Sequence, residues 1–226
     1  MKFDFKGQSG SIMFWKYIPV RNGWYLTVVD QPFRSSQNEK AFKDYRKWCL
    51  GHHDILIGLE TKVDHDWFAG MASQTKFADQ RTKHDRDQFF GKLIMPVFCK
   101  ADANETFLGV IELVTMCRKG SYETDYKQIY KLLKDEKLTT KPMAKMIKVK
   151  YMDDTVKFPL PLSSGIAYLW EKVTERFNTL DQRTFRIKYD DHKGNILPVV
   201  SDGDLQACIA NSSSMGMMTI RMIINK

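Results

Sequence analysis

Charged side chains at two places in the last third of the chain have the spacing of electrostatic docking sites. Residues 146–151 read MIKVKY, in which Lys148 and Lys150 alternate with apolar residues. This two-residue period is typical of a half-buried β-strand, so both ammonium groups should lie on its solvent face. Residues 189–205 read YDDHKGNILPVVSDGDL and carry carboxylates around a glycine-containing turn. A domain with cations on one surface and carboxylates on another can bind copies or relatives of itself head to tail.

The composition favours a binding protein. The chain has 226 residues, of which 43% are hydrophobic, enough for two medium-sized domains. Its formal net charge of +8 is spread along the sequence, whereas a nucleic-acid-binding surface would show clustered cations. The four cysteines form no Cys-x-x-Cys, so neither a zinc site nor a disulfide framework is expected. Without an apolar leader or a membrane-spanning run, we expect a soluble intracellular protein that does not bind membranes.

Histidine and carboxylate residues occur together at two places where catalysis has to be considered. Residues 64–66 read Asp-His-Asp, and residues 84–87 read His-Asp-Arg-Asp. Adjacent residues rarely converge on one ion, and neither group has a known ligand spacing such as His-Glu-x-x-His. A glycine-rich phosphate-binding loop is not found either. We therefore predict no enzymatic activity, no metal and no cofactor.

Local patterns in the first half predict two β-hairpins, each followed by a helix. The predicted elements are strands Ile12–Val20 and Trp24–Asp30, a helix over Asn38–Leu50, irregular structure with one short helix over 51–90, strands Lys92–Phe98 and Phe107–Thr115, and a helix over Tyr122–Leu133. Asn22-Gly23 favours the positive φ angles of a tight hairpin turn. Pro96 has to lie at a sheet edge or a bulge, because it cannot donate a ladder hydrogen bond. Residues 138–145 are short and polar and predict a domain boundary.

The second half predicts a small mixed sheet with helices on one face. The predicted order is strands 146–151 and 155–160, a helix over 164–177, strands 184–189 and 196–199, a helix over 204–210 and a last strand over 217–224. Ser163 or Ser164 can cap the first of these helices, and Ser201 or Asp202 can cap the second.

Residues 146–226 resemble a PB1 domain, a ubiquitin-like β-grasp module whose members associate through a basic face and an acidic loop. Lys148 matches the lysine on the family's first strand, and residues 189–205 align with the acidic motif without a gap. The resemblance implies a partner-binding basic face and a partner-binding acidic loop. The basic face is assigned to Lys148, Lys150, Lys157 and Lys172, and the acidic loop to Asp191, Asp202 and Asp204.

The acidic loop departs from the family pattern. Only Asp191, Asp202 and Asp204 keep a carboxylate at positions where the family pattern has acidic residues, and Lys193 adds a cation among them. Opposite charges within a few ångströms largely cancel the field that an incoming lysine would feel. We expect the basic face to bind the acidic loop of another PB1-containing protein, and the chain itself to form at most a weak homo-oligomer.

The first half resembles the N-terminal GAF-like region of plant NIN-like proteins, which belong to the RWP-RK family. The resemblance lies in FWKYIPVRNGWYLTVVDQPF, AFKDYRKW, GKLIMPVF and FLGVIELVTM. It implies an α+β protein with a GAF-like mixed sheet-and-helix domain at residues 1–140, followed by the PB1 domain at residues 144–226. It further implies a nuclear protein that acts in nitrate-responsive transcription, with full-length NIN-like regulators as its partners.

Two departures from that family bear on function. The chain contains no Arg-Trp-Pro-Arg-Lys sequence, so direct DNA binding is not expected. The region that the resemblance associates with nitrate binding has no counterpart here, so no nitrate ligands are assigned. Two alternatives stay open: small-molecule sensing in a pocket of the GAF-like half, and a degenerate duplicate in which only the PB1 module works.

Overall fold

A computed structural model of the chain describes residues 3–36, 39–51, 55–58, 61, 63–64, 67–82, 91–101, 104–117, 119–178, 180, 185–191, 193–215 and 217–225. The chain divides into two compact units, residues 1–142 and residues 143–226. Of the two histidine and carboxylate groups, only Asp64 belongs to the described residues. Within this described part, no helix is long and apolar enough to cross a membrane, and no three histidine, cysteine or acidic residues cluster as a metal site would require.

In its described residues, the N-terminal unit has an antiparallel sheet and three helices. Its strands are β1 (Gly10–Val20), β2 (Gly23–Thr27), β3 (Phe33–Ser35), β4 (Asp79–Arg81), β5 (Gly91–Ala101), β6 (Asn104–Thr115) and β7 (Leu138–Thr139), and its helices are α1 (Glu39–Leu50), α2 (Phe68–Thr75) and α3 (Glu123–Asp135). The strands run in the order β2-β1-β6-β5-β4, with β3 beside β1 and β7 beside β5. The predicted hairpins and helices are confirmed. The short strand β4, in the segment predicted to be irregular, was not expected.

The two faces of this sheet are covered by different helices. On one face, the carboxylate of the buried Glu112 accepts hydrogen bonds from the Trp15 indole N–H at 2.8 Å and from the Tyr45 hydroxyl at 2.7 Å. Tyr45 belongs to α1, so this polar network fixes α1 against the sheet. Side chains alternate along a strand, so the neighbours of Trp15 in β1 face the other side, where α3 lies.

The first hairpin forms as predicted, but its turn is shifted by one residue. Val20 pairs with Gly23, so Arg21 and Asn22 form the loop and Gly23 is already part of β2. Gly23 has a φ of +154°, and a Cβ there would lie 2.2 Å from the carbonyl oxygen of Ile57. Glycine is required at this position by the close approach of another segment, and not by a turn centred on Asn-Gly.

Pro96 and the predicted domain boundary show how short strands complete the sheet. β4 pairs with β5 from Lys92 to Ile94, and β7 pairs with it at Phe98 and Cys99. Pro96 lies in the gap between them, next to a register shift after Val97, which confirms the prediction of a local edge or bulge. Part of the predicted boundary segment, β7, belongs to the N-terminal sheet.

The C-terminal unit is a five-stranded mixed sheet with both helices on one face. Its elements are β8 (Ala144–Tyr151), β9 (Asp154–Pro161), α4 (Ile166–Arg176), β10 (Arg186–Asp190), β11 (Ile196–Val199), α5 (Asp202–Ser214) and β12 (Thr219–Asn225). The strand order is β11-β10-β12-β8-β9, and the central pair β12–β8 is parallel. The helices bury Leu169, Val173 and Leu205 against the inner side chains of the sheet. The opposite face of the sheet is therefore free to carry charged side chains.

Candidate protein-docking surfaces

Three cations form a straight row across three neighbouring strands of the C-terminal sheet. Lys148 of β8 is paired with Lys157 of β9 on one side and with Arg221 of β12 on the other. All three side chains are exposed, whereas their strand neighbours point into the core. We call Lys157, Lys148 and Arg221 the cationic row. Lys150 lies two residues further along the same face, opposite Ile223, and extends the row.

The cationic row is electrostatically unfavourable in the isolated molecule. Directly opposite residues in a sheet have their Cβ atoms about 4.5–5.5 Å apart, and like charges in such pairs destabilise the sheet. Among the described residues, none of the three cations forms an ion pair that would compensate the repulsion. An incoming carboxylate would reduce the repulsion, so the row favours an acidic partner.

Asp191 holds the turn that joins β10 to β11. One of its carboxylate oxygens accepts hydrogen bonds from the backbone N–H groups of Lys193 at 2.9 Å and Asn195 at 2.8 Å. The other oxygen accepts from the Asn195 side-chain amide at 3.0 Å. The negative charge of Asp191 is therefore partly satisfied inside its own turn.

Asp202 caps a helix other than its own. Its Oδ1 atom accepts a hydrogen bond from the backbone N–H of Ile166, the first residue of α4, at 2.6 Å. The N-cap residue of α4 is Gly165, which has no side chain for the purpose. The prediction that Ser163 or Ser164 caps this helix is therefore wrong, because a carboxylate from α5 already occupies the position.

Asp204 forms a capping box with Ser201 at the start of α5. Its Oδ2 atom accepts hydrogen bonds from the Ser201 hydroxyl at 2.8 Å and from the backbone N–H groups of Ser201 and Val200 at 3.0 and 3.1 Å. The hydrogen bond from Ser201 comes first among the causes that hold the pKa of Asp204 below its usual value. The predicted capping by Ser201 is confirmed, and α5 begins two residues earlier than predicted.

The C-terminal unit matches a known protein family in sequence. The sequence profile of the family described as PB1 domain matches residues 144–226. The C-terminal unit is a PB1 domain. It is therefore a protein–protein interaction module with the ubiquitin-like β-grasp fold.

The PB1 domain is similar in sequence to three proteins of Arabidopsis thaliana. Over 79 residues it is 32% identical to Protein NLP8 and 33% identical to Protein NLP7. The similarity to Protein NLP9 is 32% over 79 residues. The matched stretch is 35% of this chain and 8% of the length of NLP8 and NLP7. These relatives support the expected link to NIN-like proteins over the PB1 domain only, and the GAF-like assignment of residues 1–140 stays a prediction.

Three solved PB1 structures are each similar to 36% of this chain. The AtNBR1-PB1 domain is 21% identical, with a TM-score of 0.31, and covers 36% of this chain and 96% of its own. The PB1 domain of Cdc24p is 14% identical, with a TM-score of 0.33 and the same coverage. A filament structure of AtNBR1-PB1 is 24% identical, with a TM-score of 0.32.

Both edges of the PB1 sheet contain prolines that hinder the addition of a further strand. Next to β11, the backbone N–H of Asp191 donates a hydrogen bond to the carbonyl oxygen of Asn195 at 3.0 Å. Hydrogen-bonded and non-hydrogen-bonded pairs alternate along antiparallel strands, so the nitrogen of Pro198 points away from β10. Next to β9, the backbone N–H of Leu162 donates a hydrogen bond to the carbonyl oxygen of Met143. By the same alternation, the nitrogens of Pro159 and Pro161 point away from β8. Proline cannot donate a hydrogen bond to an added strand. The side-chain surfaces are therefore better suited to binding a partner than the sheet edges.

The structure separates Lys172 from the other predicted basic residues and adds Arg221 to them. Lys172 belongs to α4, on the side of the sheet opposite the cationic row, and its ammonium group lies 2.7 Å from the Glu175 carboxylate. That hydrogen bond raises the pKa of Lys172 and lowers the pKa of Glu175. Arg221 was missed, although the alternation of buried and exposed residues in TIRMIIN would have placed it on the outer face.

Proposed function

We propose that this chain docks through its cationic row onto the acidic loop of another PB1 domain and does not readily extend a chain of its own copies. It is then a terminal member, or cap, of PB1 assemblies. The observation that carries the proposal is the uncompensated alignment of Lys157, Lys148 and Arg221 across β9, β8 and β12. Three cations at about 5 Å spacing form a surface that an acidic partner stabilises.

The acidic loop is proposed to be a weak binding surface because its carboxylates already accept hydrogen bonds within the domain. Asp191 accepts from its own turn, Asp202 accepts from α4, and Asp204 accepts from the start of α5. Backbone N–H groups partly neutralise these charges, and Lys193 is exposed in the same turn. A lysine from a second copy would meet a smaller field than an intact acidic loop provides.

The proposed partners are other PB1-containing proteins, in particular full-length NIN-like regulators. Sequence similarity to NLP7, NLP8 and NLP9 over the PB1 domain supports this choice. By docking without binding DNA itself, the chain would limit the assembly of such regulators and modulate nitrate-responsive transcription. In this role it acts in the nucleus.

The test is a binding titration of the full chain with a PB1 domain whose acidic loop carries its complete set of carboxylates. Lys148→Ala should abolish binding, and Asp204→Asn should leave the affinity nearly unchanged once folding has been verified by circular dichroism. Equal losses from both substitutions, or full binding by Lys148→Ala, would contradict the proposal. Asp204→Asn is preferred to alanine because its side-chain oxygen can still accept the capping-box hydrogen bonds from Ser201.

Two other functions give distinguishable results in related experiments. If the chain is a degenerate duplicate in which only the PB1 module works, a fragment of residues 143–226 should bind the acidic PB1 partner with the same affinity as the full chain. A sensor role for the N-terminal unit is favoured by one specific observation, an apolar cavity of about 740 Å³ beside α3.

A further inference from the structure

The N-terminal unit contains a cavity of about 740 Å³ on the sheet face that carries α3. Ile12 and Phe14 of β1 and Ile111 of β6 form its floor, and Leu133 of α3 forms a wall. Phe14 and Ile111 are directly paired, so their side chains lie on the same face of the sheet. The cavity is therefore a feature of the sheet and α3 together.

The floor of this cavity is apolar and largely buried, whereas its rim is open to solvent. The exposed fractions are 6% for Ile12, 5% for Ile111, 2% for Val97 and 3% for Leu133. Ligand pockets in proteins are concave and mostly apolar, with a few polar groups that fix the orientation of the ligand. The volume lies in the range of small-molecule sites, about 300–1,000 Å³. An apolar ligand would therefore fill a space that packing leaves open.

Two cations lie at the rim, at opposite ends of the apolar floor. Arg34 of β3 is paired with Ile12, so its side chain shares the face of the cavity. Lys16 also lines the cavity, four residues after Ile12 and thus about 13 Å further along β1. Both side chains are exposed, and neither forms an ion pair with a described residue. Glu136 is the one acidic residue of the lining, so the rim carries a net positive charge.

We propose that this cavity binds an anionic amphiphile, a medium- or long-chain carboxylate, with its alkyl chain against Ile12, Phe14 and Ile111 and its carboxylate on Arg34. The guanidinium group is assigned as the anchor because its planar fork matches a carboxylate with two parallel hydrogen bonds. Arg21, an exposed residue of the first hairpin loop, does not line the cavity and serves as a matched control of the same residue type.

The test is calorimetric titration of the full chain with decanoate, below its micelle concentration, and with decanol as the uncharged counterpart. Decanoate should bind saturably at one site, and decanol should bind at least about tenfold more weakly, because it cannot form the charge-assisted hydrogen bonds. Arg34→Gln should weaken decanoate binding by about tenfold. Arg21→Gln should change it by less than about twofold, because this side chain lies outside the cavity and solvent screens its charge.

A variant that fills the cavity controls for binding elsewhere. Leu108 lines the cavity and is only partly buried, so Leu108→Trp should occupy the space with little strain on the fold. The variant should keep the circular dichroism spectrum of the wild type and lose decanoate binding.

The proposal is overturned by any of four results: no saturable decanoate binding, equal binding of decanol, equal losses from Arg34→Gln and Arg21→Gln, or full binding by a folded Leu108→Trp. The residues concerned belong to the N-terminal unit. Failure of this proposal would therefore leave PB1 docking unaffected, and the two can be tested separately.

Discussion

The carboxylate of Asp202, at the start of α5, accepts a hydrogen bond at 2.6 Å from the backbone N–H of Ile166, the first residue of α4. One residue of the acidic loop thus joins the N-termini of both helices. Gln206 strengthens the junction, since its side-chain amide donates to the carbonyl oxygens of Leu162 and Ser164 at 3.3 and 3.2 Å. The acidic loop is consequently part of the framework of the PB1 domain.

Replacement of Asp202 should reduce stability more than docking. Asp202→Ala removes the cap of α4, and loss of an N-cap typically lowers the free energy of unfolding by about 1 kcal/mol. Affinity for an acidic PB1 partner should stay the same, because the cationic row is untouched. Urea unfolding and the binding titration measure the two quantities. Asp153→Ala, an exposed turn residue, is the matched control and should change neither.

Replacement of Lys157 should change stability and docking in opposite directions. Lys157→Gln removes one like-charge pair from the row, so the free energy of unfolding should rise by about 0.2–1 kcal/mol. Docking should weaken, because one cation that would contact the acidic partner is removed from the row. The control variant is Lys193→Gln, which removes a cation that lies outside the row. A destabilised Lys157→Gln would show that the row is not under repulsion.

Arg221 should be as important for docking as Lys148, and Lys172 should not. Arg221→Gln removes the end of the row beside Lys148, whereas Lys172→Gln removes a cation that is bound to Glu175 on the opposite side of the sheet. Affinities of both variants for one acidic partner decide the matter. A larger loss from Lys172→Gln than from Arg221→Gln would mean that the docking surface lies on α4.

Lys76 should make the stability of the N-terminal unit depend on pH. Its ammonium nitrogen lies 3.3 Å from the centre of the Phe107 ring and 4.9 Å from that of Trp24, and burial lowers its pKa from 10.5 to about 7. Between these two values the unfolded chain binds more protons than the folded one, so stability rises with pH. Thermal unfolding from pH 6 to pH 10 should show this rise.

The corresponding control is Lys76→Met, which keeps an apolar stem and cannot titrate. The difference in unfolding temperature between wild type and variant should change steadily from pH 7 to pH 10. A constant difference over that range would show that the aromatic rings around Lys76 keep its pKa near the ordinary value.

The sequence predicted those features that depend on short-range periodicity. Alternation in residues 146–151 placed Lys148 and Lys150 on the solvent face, and the neighbours of Lys157 placed it there too. Strand Ile196–Val199 was predicted with its correct bounds. For the three lysines, the apolar residues that face the core are visible within one strand.

Features that depend on contacts between distant segments were not predicted. The cationic row needs the parallel pairing of β12 with β8, which brings Arg221 beside Lys148. The cap on α4 needs a contact between residues 36 positions apart. β4 consists of the polar residues Asp79, Gln80 and Arg81, all buried, so no apolar pattern marked it as a strand.

Docking by one face only can be measured by sedimentation velocity. The purified chain is measured over a range of concentrations, alone and then mixed with a PB1 domain whose acidic loop is complete. The chain alone should stay monomeric, and a one-to-one complex should form in the mixture, weaken with added salt and be lost with Lys148→Ala. Concentration-dependent growth of the chain alone would show that Asp191, Asp202 and Asp204 suffice for self-assembly, and would contradict docking by one face only.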